Sequence, residues 1–180
     1  HRHIDGFNCI ASAHPVPDKR GLNAANAVES LVSGLDVSNH LLLLISGGGS
    51  ALLPAPAVGI SLTQKIALND MLLASGLDIH AMNTVRRLFS RLKGGQLARL
   101  AAPARITQFL LSDVPDDAPE SIASGLAVAD PVPLDDALAL IRTQKFDRLD
   151  FVMPHLESIM SNDVAGPVRP GDPVLDQVQT

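Results

Sequence analysis

Residues 46–50 read Ser46-Gly47-Gly48-Gly49-Ser50, directly behind the apolar run 41–45. Without Cβ atoms, glycines tolerate positive φ and let several N–H groups converge on one anion. A helix opening at Ser50 would add its unpaired N–H groups and positive end at the same point. A phosphate cradle and a plain tight turn are equally compatible with this loop. It lacks the lysine of a Walker loop, and its glycines are not spaced as in the dinucleotide motif. Cations for any phosphate chemistry must therefore come from elsewhere in the chain.

The segment 83–95 supplies them: Asn83, Arg86, Ser90, Lys93 and the pair Gly94-Gly95. On a helix, Arg86 and Ser90 stand at i, i+4 and Asn83 one turn before Arg86, so all three share a face. Lys93 follows one turn later, beside glycines that expose backbone. Such a stripe can clamp phosphoryl oxygens, arginine as a bidentate fork and lysine as a point charge. A solvated basic face is the structural alternative. Ser112-Asp113 follows another apolar run. Asp113 there is a candidate to hold a metal ion or accept a proton from a substrate hydroxyl; a helix cap or turn is its structural alternative. Asp116 and Asp117 sit in a Pro-rich stretch facing solvent, and His14 before Pro15 is either a ligand contact or a hydrogen-bonded structural residue. The other histidines show no metal-ligand spacing, and no Ser-His-Asp arrangement emerges.

These groups need a scaffold. Residues 7–13, 41–45 and 106–111 read as strands, the second continuous enough to be covered on both faces. Helical spacing marks 21–33, Leu62–Ala74, 79–92, 96–102 and Leu134–Thr143. Ser61 and Gln64 form a capping box ahead of the second of these. Asp135 and Asp136 favour the dipole of the last. Strands alternating with helices imply βαβ units and an α/β fold: a doubly wound, mostly parallel sheet flanked by helices. Ligands of such sheets sit beyond the strands' carboxyl ends. The 46–50 loop and Ser112-Asp113 should therefore share one edge.

At 180 residues, with 46% hydrophobic and 18% charged residues, the chain suits one packed domain. A net charge of −5 with no basic stripe argues against a nucleic-acid partner. One cysteine, Cys9, excludes an internal disulfide framework. No apolar stretch is long enough to span a bilayer, so no membrane role is expected. The reading is a cytoplasmic protein. Residues 161–180 look linker-like around Gly166-Pro167 and Pro170-Gly171, and the chain resembles a segment of something longer.

Four ordered segments carry a family resemblance. They are His14–Asp18 with Gly21-Leu22, Ser46–Leu53, Asn83 through Ser90 with Lys93–Gly95, and Ser112–Val114 with Ile122–Gly125. Together they resemble the bacterial-type glycerate 2-kinases, often labelled hydroxypyruvate reductases, over about residues 7–160. The resemblance implies transfer of the ATP γ-phosphoryl group, with Mg²⁺, to the 2-hydroxyl of D-glycerate. It implies residues 1–160 as part of a Rossmann-like domain and 161–180 as a tail leading to a further carboxyl-terminal domain. Ser46, Gly47, Gly48, Gly49 and Ser50 become a phosphate or substrate cradle, with Asn83, Ser90, Gly94, Gly95 and Ser112 as binding residues. Arg86 and Lys93 become charge stabilisers in catalysis, and Asp113 a metal or hydroxyl partner. The chain departs from the family pattern at Asp116, where a glycine is usual, and at Leu126-Ala127, where Pro-Thr is usual. The family also has a Gly-Lys-Ala segment, expected upstream, so this segment alone is expected to be inactive. Glycerate and nucleotide are the implied partners, and a homodimer is allowed. The competing readings are an NAD(P)-linked hydroxypyruvate reductase and a non-catalytic anion- or sugar-phosphate-binding domain.

Overall fold

The computed structural model describes residues 4–112, 114 and 116–180. Its sheet has three parallel strands in the order β1 (His40–Ile45), β2 (Arg105–Leu110) and β3 (Val178–Gln179). β1 pairs with β2 from His40 opposite Arg105 to Ile45 opposite Leu110. The carboxyl ends of both long strands therefore fall at one edge. The α/β architecture read from the sequence is present.

Two hydrophobic cores organise the helices. In one, α1 (Lys19–Val32) and α5 (Gln96–Ala101) bury Ala25, Val32, Leu97 and Ala101 with Ile106, Leu41 and Leu43 of the sheet. In the other, α3 (Leu62–Ala74), α4 (Ile79–Leu88), α6 (Leu134–Thr143) and α7 (Val152–Met160) pack Leu68, Leu72, Val85, Leu88, Ile141 and Leu156. The Ser61–Gln64 capping box closes the start of α3 as its sequence predicts, with both reciprocal bonds formed.

Four expectations are corrected. Residues 7–13 form no strand: no β-ladder among the described residues includes them, and Phe7 is 70% exposed. An isolated extended segment without a ladder leaves its backbone bonds to water. The sheet is not covered on both faces here; burial in β1 alternates, and Leu42, Leu44 and Phe109 are exposed. The helix expected over 79–92 ends at Leu88. Phe89 leaves the helical region, and 89–91 instead bond to 55–57 through Ala57 N–H to Phe89 O and Arg91 N–H to Ala55 O. The tail is packed rather than linker-like. Val168 is fully buried, it exchanges backbone bonds with Gly94 and Asp130, and β3 joins the sheet. Arg169 pairs with the buried Asp130, which also holds the buried Arg87, so an ion-pair network ties the tail to α4.

Candidate functional site

A cleft of about 440 Å³ opens where the glycine loop meets α3 and α4. Its wall includes His14, Gly48, Ser50, Asn69, Asn83, Arg86, Val114, Ser121 and Ala123. Gly48 initiates the short helix α2 (Gly49–Leu52) from φ +79, a left-handed conformation that glycine adopts freely. A Cβ on Gly49 would stand 2.8 Å from the Ala123 methyl, so that position admits only glycine at this separation. The loop is thus shaped by a close approach to 122–124, where Ala123 and Ser124 hold positive φ, an uncommon backbone state for residues with side chains.

Hydrogen bonds knit these pieces together. Ser50 Oγ shares a 2.8 Å bond with Ser124 Oγ, and Ser124 donates to Asn83 Oδ1 at 2.9 Å. Arg86 donates to the same Asn83 oxygen at 3.3 Å and to Asn69 Oδ1 at 3.1 Å. Asn83 Nδ2 donates to the Ser121 carbonyl. The glycine loop, the 121–124 turn, α4 and α3 therefore hold one guanidinium in place. Asn69 Nδ2 is buried without a hydrogen-bond partner among the described residues.

Charge is distributed unevenly around the cleft. Arg86 has no carboxylate partner among the described residues, whereas the buried or part-buried Arg87, Arg91, Arg99 and Arg169 all do. Two buried lysines lie behind Arg86, neither in the cleft wall. Lys65 donates to the carbonyls of Arg86 and Phe89 at the end of α4, and Lys93 donates to Leu53 O at 2.6 Å. Burial drives Lys65 well below the usual lysine range, helped by the charges of Lys93 and Arg86. Burial, then the Arg86 charge, lowers Lys93 to about 7. Gathering cations without a neutralising carboxylate is costly, and an arriving anion relieves that cost.

The sequence-derived residues divide accordingly. Gly48, Ser50, Asn83 and Arg86 meet in the cleft wall. Ser46 lines a separate hollow at the strand ends with Leu44 and Phe109, and Gly47 lies in the turn between. Ser90 is not on a helical face with Arg86; its hydroxyl accepts from the N–H groups of Leu92 and Lys93. Lys93 is buried and outside the cleft wall. Gly94 and Gly95 give their N–H groups to Ser124 O and Gly125 O, and both pack against 167–168. Ser112 closes a local turn on Val114. Asp113 lies outside the described residues. Reading the sequence missed Lys65, Asn69, Ser121 and Ser124. Lys65 and Asn69 share the buried face of α3 with Leu68 and Leu72, but apolar residues lie around most of that helix, so its sequence does not mark which face turns inward.

Fold and site define an α/β protein with an arginine-lined cleft at the junction of its sheet and helical halves. Residues 1–157 match the family described as Domain of unknown function (DUF4147). The chain belongs to that family. A protein of Agrobacterium vitis named hydroxypyruvate reductase is 44% identical over 164 residues, 89% of this chain and 37% of that protein. Human glycerate kinase is 46% identical over 126 residues, 70% of this chain and 24% of that protein. Among solved structures, the PH0495 protein of Pyrococcus horikoshii superposes with a TM-score of 0.88 at 32% identity, covering all of this chain and 41% of that one. Glycerate kinase of Thermotoga maritima superposes with a TM-score of 0.75 at 38% identity, covering 81% and 35%. The resemblance to glycerate kinases carried by the four sequence segments is thus borne out. The chain spans about two-fifths or less of the length of these relatives.

Proposed function

We propose that this chain carries part of the substrate cleft of a glycerate 2-kinase. In that reaction the bond between the γ-phosphorus and its bridging oxygen breaks. A new bond forms to the 2-hydroxyl oxygen of D-glycerate, and the hydroxyl proton departs. Such transfers depend mainly on positioning and on neutralising negative charge, which suits a cleft built around a fixed cation. The observation that carries the reading is Arg86, held by two amide oxygens and paired with no carboxylate among the described residues. Its open N–H groups suit a carboxylate or phosphoryl group in the cleft. The names of the relatives from human and Thermotoga maritima support glycerate as the substrate.

ATP and Mg²⁺ belong to this proposal. The cleft wall among the described residues holds no carboxylate, and no cluster of three metal-ligating side chains occurs among them. Those residues do not fit Mg²⁺, so no step is routed through the ion; Asp113 is the candidate for it by resemblance. A cytoplasmic location and a homodimer are further parts of the proposal. No helix among the described residues is long and apolar enough to cross a membrane.

Titration with D-glycerate, MgATP and NADH tests the reading. Saturable binding of glycerate and ATP, with none of NADH, is expected. NADH binding without ATP binding would favour a hydroxypyruvate reductase, the name carried by the Agrobacterium vitis relative. Binding of phosphate esters without nucleotide preference would favour a non-catalytic sensor.

A further inference from the structure

Arg86 is held in an unusual way for this molecule. The buried Arg87 pairs with Asp130, and the part-buried Arg91, Arg99 and Arg169 pair with Glu29, Asp172 and Asp130. Arg91 and Arg99 also donate to the amide oxygens of Asn26 and Gln96, but in this group Arg86 alone has amide partners and no carboxylate among the described residues: Nη2 donates to Asn69 Oδ1 at 3.1 Å and Nη1 to Asn83 Oδ1 at 3.3 Å. Arginine has donors only, so the Asn69 oxygen must face it, which fixes the orientation of that amide. Asn69 is 9% exposed, lines the cleft, and leaves its own amide nitrogen without a partner among the described residues. An aspartate would fit the same space, accept the same bond more strongly, and spare the orphaned N–H₂. By stability alone, then, asparagine is the poorer choice.

We propose that Asn69 is a positioning residue whose neutrality is its function: it fixes the Arg86 guanidinium while leaving the charge unspent for an anion in the cleft. Asn83 shares the work, but its oxygen also accepts from Ser124, which ties it to the turn as well as to the arginine. Asn69 has no such second acceptor bond. It therefore sets the charge balance of the site with the least structural entanglement. The neighbouring Lys65 and Lys93 have pKa values lowered first by burial and only then by nearby positive charge, that of Arg86 included. The proposal rests on the cleft being an anion site.

The test compares Asn69→Asp with Asn69→Ala, titrating D-glycerate and, separately, inorganic phosphate, with thermal midpoints measured alongside. A purely structural Asn69 makes the aspartate the milder change, because it keeps the bond to Arg86. The proposal requires the opposite order. Asn69→Asp should match or exceed the wild-type midpoint yet lose about tenfold or more in affinity for both probes. Asn69→Ala should lower the midpoint and lose less affinity than the aspartate. Equal affinity in Asn69→Asp and wild type, a weaker Asn69→Ala than Asn69→Asp, or failure of Asn69→Asp to fold would each overturn this inference alone. Wild-type protein that binds neither probe would overturn both it and the anion-site reading.

Discussion

Lys93 carries an ammonium head that is buried, bonded to one carbonyl and close enough to feel the charge of Arg86. Its folded-state pKa near 7 lies below the 10.5 of an unfolded chain, so between those values the unfolded state binds more protons. Stability from this group is therefore present at high pH and is lost as pH falls toward 7. Replacing Lys93 with Met removes the titrating charge. The stability of Lys93→Met relative to wild type should thus be greater at about pH 6.5 than at about pH 9.5. Urea midpoints at the two pH values check this; an unchanged difference would mean that Lys93 titrates normally. The same residue shows what a sequence can hide. Its place one turn beyond Ser90 suggested a continuation of the Arg86 stripe, yet the helix ends at Leu88, and Lys93 instead reaches Leu53 from a buried position.

At the scale of elements, the site depends on how closely α2 approaches the 122–124 turn. Gly49 permits that approach, because any Cβ there would press on the Ala123 methyl at 2.8 Å. Gly49→Ala must push the two apart, which strains the Ser50–Ser124 bond and, through Ser124, the seat of Asn83. We expect a loss of about 1–3 kcal/mol in stability, as for overpacked contacts. Anion affinity should fall with it, measured by denaturation and titration of the same sample. A stable variant with weakened binding would still support the linkage, while unchanged values of both would remove it. Elements specified locally were legible from sequence: the Ser61–Gln64 box sets the start of α3, and the periodicity of Leu134–Thr143 matches α6. Those decided by distant partners were not. Residues 7–13 read as a strand but find no ladder among the described residues. Pairing of 89–91 with 55–57 shortens α4, and β3 is two residues that matter only because β2 is there to receive them.

For the whole molecule, the two hydrophobic cores act as platforms, and the cleft lies where they meet. The glycine loop stands over the sheet half, and Asn69, Asn83 and Arg86 project from the helical half. The loop and Arg86 were recognisable one by one from residue type. Their convergence, and the entry of Asn69 and Lys65 from α3, could not be read without the tertiary fold, since α3 and α4 contribute to the site only through their packing. Under the proposed function, Arg86 serves glycerate kinase chemistry and is not a structural cation. Glycerate-dependent ADP release by the full-length protein, compared between wild type and Arg86→Ala with thermal midpoints in parallel, tests it most directly. Release by wild type, a fall of about 10- to 100-fold or more in the variant, and a nearly unchanged midpoint are expected. Undiminished release in Arg86→Ala, or a collapse of its midpoint, would contradict that role.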